Sequence, residues 1–211
     1  MDPLEQMIEA ARDGRINEVE TYLDYNTINV NGTVFGLWTA LQEACFEGHL
    51  PIAKLLLDHG ADIEVPTYGW DLTPLDLSCI KERTSTVELL LERGANANTW
   101  GSLYKACRND HVGVLRLLLN HGANVNACNN KKWSLLHIAC YGTSIQCIKE
   151  LLGRGANVMT ENNHGETVLD LARNKNNQSI IDLIVGHKKL QLKMESQEEN
   201  VPPPLVVVTE Q

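Results

Sequence analysis

The chain of 211 residues has few aromatic residues, too few basic ones to balance its acids, and no long apolar run. Each shortage removes a class of function. Lys and Arg total 18 against 27 Asp and Glu, for a net charge of −9. A surface for nucleic-acid phosphates needs clustered cations, so that partner is excluded, and the isolated Lys131-Lys132 pair does not restore it. No apolar stretch approaches the ~20 residues of a membrane span. The Met1-Asp2-Pro3-Leu4-Glu5 start lacks the charged-then-apolar pattern of a secretory signal. No membrane insertion is expected, and the expected location is the cytoplasm, with the nucleus as a second possibility. The sequons at Asn31 and Asn177 therefore read as coincidence. Also missing are a phosphate-cradling Gly-rich loop, a Gly-x-Ser-x-Gly elbow and a His-Glu-x-x-His helix. Cys107 with His111, and His137 with Cys140, have ligand spacing on a helix face, but neither has a second pair to complete a tetrahedron. The expectation is a non-enzyme with no catalytic residue, cofactor or metal.

What is present is one repeated phrase. A leucine run followed by Gly-Ala and Asp or Asn closes at Gly60-Ala61-Asp62, Gly94-Ala95-Asn96, Gly122-Ala123-Asn124 and Gly155-Ala156-Asn157, with glycine spacings of 34, 28 and 33. A period near 33 implies stacked units that bury their apolar faces only against one another. Such a stack offers a long grooved surface, so binding leads over chemistry. A protein or peptide partner is expected, and the chain itself is expected to be a monomer.

Each unit opens at Thr39, Thr73, Ser134 or Thr167, residues that can cap the first backbone N–H groups of a helix. A core leucine follows at Leu41, Leu75, Leu103, Leu136 and Leu169, then a small residue that admits the neighbouring helix. Cys45, Cys79, Cys107 and Cys140 occupy one place in successive units, about one repeat apart and too distant to bridge, so they read as buried core. Glycine then ends the second helix in the left-handed conformation.

These residues closely resemble the ankyrin repeat over about residues 4 to 188. The resemblance implies an all-α solenoid of helix-turn-helix units with projecting β-hairpin fingers. It divides the chain into an N-terminal cap repeat (1–31), four internal repeats (32–163), a C-terminal cap repeat (164–188), and a helix extension with a flexible Pro-containing tail (189–211). The family's first-helix His survives only as His137. The Leu-x-Glu-Ala-Cys wording at 41–45 is also similar to the SOCS-box ankyrin family, whose members recognise substrates for ubiquitin ligation. That family's C-terminal box carries a Cys-containing helix, and residues 188–211 contain no Cys. Asn126, eight residues past Leu118, resembles the finger asparagine that ankyrin proteins offer to an asparaginyl hydroxylase.

One departure can be counted. From core Leu to closing Gly the separation is always 19, but from that Gly to the next Leu it is 15, then 9, then 14. The finger between Gly94 and Leu103 is therefore clipped, and its unit opens with Gly101-Ser102 in place of Thr. Shortening it is expected to open a notch between the fingers carrying Trp70 and Trp133, with Tyr104 and Arg108 at its floor. All four Trp (Trp38, Trp70, Trp100, Trp133) map to fingers with Phe35 and Tyr68, while Phe46, Tyr104 and Tyr141 map to the inner helices. Nine of the eleven aromatics are thus expected on one concave face, leaving Tyr22 and Tyr25 in the cap. Trp and Tyr are favoured interface anchors, because they bury large area with few rotors. Glu43, Lys105, Glu47, Lys81, Arg108 and Asn109 are expected on or beside that face, where such groups can fix the register of a bound chain, with Glu43 and Arg108 the charged residues expected to contact it.

Overall fold

The computed structural model describes residues 2–24 and 28–198. Over them the chain forms six helix pairs: α1 (Pro3–Asp13) with α2 (Ile16–Asp24), α3 (Ala40–Glu47) with α4 (Leu50–Asp58), α5 (Pro74–Ile80) with α6 (Thr84–Glu92), α7 (Trp100–Arg108) with α8 (Val112–Asn120), α9 (Leu135–Gly142) with α10 (Ile145–Gly153), and α11 (Val168–Asn174) with α12 (Gln178–Glu198). Odd-numbered helices stack on odd and even on even, and the odd row packs more closely, so the stack curves with the odd helices on its inner side. Tyr25 and the tail from residue 199 lie outside the described residues.

Local chemistry sets the helix boundaries. Thr39, Thr73, Ser134 and Thr167 each form a reciprocal capping box with the residue three further on, satisfying two orphan amides at once. Gly60, Gly94, Gly122 and Gly155 close the outer helices at φ of +80° to +91°, a conformation that costs a Cβ-bearing residue energy. Small residues allow the inner helices to approach: Ala44, Ser78, Ala106 and Ala139 are fully buried, as are the four periodic cysteines. Burial pushes the thiols of Cys45 and Cys79 up to about 12, so neither is a thiolate near neutrality. Leu41, Leu75, Leu103 and Leu136 fill the core, whereas Leu169, on the last described pair, is only partly covered.

In two units the fourth-place residue reaches a backbone carbonyl of the next. Gln42 Nε2 donates to the Val65 carbonyl at 2.9 Å, and His137 Nε2 meets the Glu166 carbonyl at 3.1 Å. A ladder runs through the turns. Side-chain oxygens of Asn31, Glu64, Asn98 and Asn126 accept the backbone N–H of Asp62, Asn96, Asn124 and Asn157 at 2.7 to 2.9 Å.

The fingers differ from the expected hairpins. They are tight turns, closed by bonds such as Thr67 N–H to Leu72 O and Asn129 N–H to Trp133 O, and the described residues contain one isolated bridge (Cys128 to Ser134) and no strand. Fingers this short complete no ladder. The clipped finger departs further. Trp100 is the first residue of α7, so it belongs to a helix and not to a finger. The unit opens at Thr99, four residues before its core leucine where its counterparts stand two before theirs. Thr99 makes no cap bond of its own. Its hydroxyl and that of Ser102 instead donate to Oδ1 of buried Asp76 at 2.8 and 2.6 Å, while Asp76 Oδ2 caps its own helix through Thr73. Gly101 makes this possible, since a Cβ there would lie 2.6 Å from Asp76 Oδ1.

Candidate protein-binding face

Three of the four tryptophans stand three residues before a core leucine: Trp38, Trp100 and Trp133. That shared offset aims each at its own inner helix. Trp38 meets Phe46 edge-on with ring centroids 5.0 Å apart, and Trp133 meets Tyr141 edge-on at 5.8 Å; in both cases the partner is eight residues further on. Eight residues beyond Trp100 stands Arg108, so Trp100 pairs with Tyr104 at 6.3 Å instead. Freed from that aromatic place, Arg108 lies over the next unit's Tyr141, its guanidinium carbon 5.1 Å from the ring centre.

Other cations repeat this arrangement. Lys81 Nζ sits 4.6 Å over Phe46, Lys105 Nζ 5.7 Å from Tyr104, and Lys175 Nζ 4.0 Å over Tyr141. The two cations on Tyr141 approach it from the preceding and the following unit, and Lys175 also donates to the Tyr141 carbonyl at 3.2 Å. A cation over a ring gains about 0.5–1 kcal/mol while keeping its charge available to solvent. Lys175 completes a cluster that the sequence reading drew without it, as the counterpart of Lys81. Both stand at the ninth place of their units, one residue past the aromatic place, and that shared register was the signal.

The remaining candidates stand apart. Phe35, Tyr68 and Trp70 are 94%, 86% and 81% exposed on the first two fingers, with no ring partner among the described residues. Glu43 is half-buried on α3, and desolvation, opposed by Arg12 and assisted by Glu47 and Asp13, raises its carboxyl pKa. Asn126 is exposed, but its amide oxygen is taken by Asn157. The expected notch is displaced. An open cleft of about 490 Å³ lies beside Trp100, walled by Cys128, Asn129, Asn130 and Lys131 of the following turn; Trp70, Tyr104 and Arg108 are not among its lining residues. With Trp100 drawn into α7, the space opens toward the fourth finger. Among the described residues no group of three His, Cys, Asp or Glu could hold a metal, and no helix is long and apolar enough to cross a membrane.

The family model for ankyrin repeats (three copies) matches residues 7–100, 65–129 and 103–195. The chain belongs to the ankyrin-repeat family. Human ankyrin repeat and SOCS box protein 11 is 36% identical over 95 residues, 42% of this chain and 28% of that protein. A putative ankyrin repeat protein of fowlpox virus is 38% identical over 151 residues, 66% of this chain and 44% of its own length. The crystal structure of the human SOCS box protein's ankyrin repeat domain superposes with a TM-score of 0.76 at 30% identity, covering 86% of this chain and 82% of that one. The chain spans only 5%, 24% and 28% of relatives such as a Caenorhabditis briggsae ankyrin repeat and KH domain-containing protein, an Arabidopsis thaliana E3 ubiquitin-protein ligase and the human SOCS box protein.

Proposed function

We propose that this ankyrin-repeat protein is a non-catalytic adaptor or regulator of the cytoplasm or nucleus that holds a protein partner or an extended peptide against its concave face. One observation carries the reading: Phe46, Tyr104 and Tyr141, each flanked by a tryptophan and by a cation, recur along the inner helices. Rigid amphipathic rings of this kind are favoured hot spots. A pull-down from native cells tests it, comparing wild type with the Trp133→Ala/Tyr141→Ala variant and with Lys54→Ala/Arg116→Ala on the outer helices. The groove variant, shown by circular dichroism to be folded, loses the partner while the outer variant keeps it. The opposite pattern moves the site to the convex face.

A second reading, recognition of substrates for ubiquitin ligation, draws on the names of the SOCS box and E3 ligase relatives. It is tested on the captured partner, whose ubiquitylation should rise when this chain is co-expressed and stay unchanged with the groove variant.

A further inference from the structure

The arginines of the outer row are neutralised: Arg93 pairs with Asp58 at 2.8 Å, Arg116 with Glu150 at 2.9 Å, and Arg154 with Glu150 at 3.0 Å, while Lys54 and Lys149 extend from that face without a ring or an ion pair among the described residues. On the inner row Lys81, Lys105, Arg108 and Lys175 make no ion pair among the described residues and lie over aromatic rings instead. A protein of net charge −9 has carboxylates to spare, yet none of those described closes on these four. Of the other inner-row acids, Asp13, Glu43 and Glu47 lie in the first two units, whereas Asp76 is buried at the third unit and Asp170 pairs with Arg173 at 3.9 Å in the sixth.

We propose that the occupant of the concave face is an acidic segment of another protein, bound extended, with its Asp and Glu carboxylates against Lys81, Lys105, Arg108 and Lys175 and its apolar side chains on Phe46, Tyr104 and Tyr141. This rests on the concave-face reading and adds the partner's chemistry. Arg108 and Lys175 share one ring, so a carboxylate at Tyr141 enters the field of two cations positioned over that ring. Packed helices lie about 8–10 Å apart and an extended chain rises about 3.3 Å per residue, so each unit spans roughly three residues. The segment therefore carries acids against Lys81 of the third unit, against Lys105 of the fourth about three residues on, and beside Tyr141 of the fifth, where Arg108 of the fourth and Lys175 of the sixth converge. The acids of the first two units would repel a longer acidic run, which sets the direction in which the acidic stretch lies. Fixed charge of one sign along a groove chiefly selects partners and speeds encounter.

The test is selection of random twelve-residue peptides displayed on phage against the immobilised full chain, followed by affinity measurement on the enriched sequences. Asp and Glu are expected to be enriched over Lys and Arg. Arg108→Glu/Lys175→Glu should weaken the selected peptides by about tenfold or more, and the charge-matched outer change Lys54→Glu/Lys149→Glu by less than about twofold, with binding falling as salt rises. Peptides without acidic bias that still lose affinity in Trp133→Ala/Tyr141→Ala leave the concave-face reading standing and overturn this one. Peptides that respond only to the outer changes overturn both. A library that yields no binder overturns the proposal. So does a synthetic peptide of residues 199–211 that outcompetes every selected sequence, because it makes the chain's own C-terminal segment the occupant.

Discussion

The convex and concave faces are built from the same helix pairs and use the same residue types, but to different ends. On the convex side, the Glu150 carboxylate bridges Arg116 of one unit and Arg154 of its own, and Arg154 reaches back to Asn120 at 2.7 Å. Those charges are satisfied between units and hold the stack in register. On the concave side, the charges are oriented by rings and left without counter-ions among the described residues. A charged group whose partner lies in the next repeat serves folding. One held over an aromatic ring and open to solvent is free to serve recognition.

The contrast breaks most severely where a charge is buried between units. Asp76→Ala strands the Thr99 and Ser102 hydroxyls and removes a helix cap, so denaturant unfolding should show a loss of about 3 kcal/mol, since bonds to a charged group are worth about 1.5–3 kcal/mol. A loss below about 1 kcal/mol would mean that the clipped junction is held by apolar packing alone. Next come the rings. Trp100→Ala and Tyr104→Ala should each reduce partner affinity by about 2 kcal/mol, read by calorimetry on variants whose circular dichroism is unchanged. Wild-type affinity in both would confine recognition to the Phe46 and Tyr141 clusters.

The convex staples are weaker. Hydrogen bonding from Arg116, opposed by desolvation and aided by the charge of Arg116 and by Arg154, holds the Glu150 carboxyl below its ordinary value. That stabilisation is complete above the unfolded pKa of about 4.5 and is lost as acid carries the pH down through the lower folded value. Glu150→Gln should cost about 1 kcal/mol at neutral pH, a figure limited by the solvent exposure of the arginines, and should flatten the acid limb of the stability profile. The smallest effect belongs to His137. Burial lowers its pKa against the opposing pull of the hydrogen bond to the Glu166 carbonyl and of the Glu166 charge. The unfolded chain binds that proton more readily, so stability should fall slightly as pH drops below the unfolded value of 6.5, and His137→Gln should remove the slope.

Much of the architecture was legible because a repeated sequence checks itself. The constant count from Leu41 to Gly60 and from Leu136 to Gly155 located both helices of a unit, and cap and terminator lay where Thr39 and Gly60 placed them. The finger chemistry was less legible. Trp70 and Trp133 both read as finger aromatics, yet one is bare and the other rests on Tyr141; only their distances from the core leucines Leu75 and Leu136, five and three, tell them apart. Trp100 was misplaced because a missing finger lets the following helix start earlier. What permits that start is Gly101 against Asp76, a contact between residues 25 apart that no local pattern records. The position of Lys175 over a ring in the preceding unit is a property of the stack and not of its own neighbourhood.

The stacking of the units also bears on how the molecule comes apart. A linear array stores its cohesion in successive interfaces, and under tension or slow thermal opening it parts at the interface whose closure is least redundant. Between the third and fourth units, the Asp76 carboxylate and the Thr99 and Ser102 hydroxyls take over from the missing finger, and both helix rows stay closely packed there. Among the described residues the thinnest interface is the last, where α12 packs only lightly on α10. Pulled from its ends, the array would shed its sixth unit first, and Lys175 with it, so a ligand held by Arg108 and Lys175 together would pin the terminal unit to the stack.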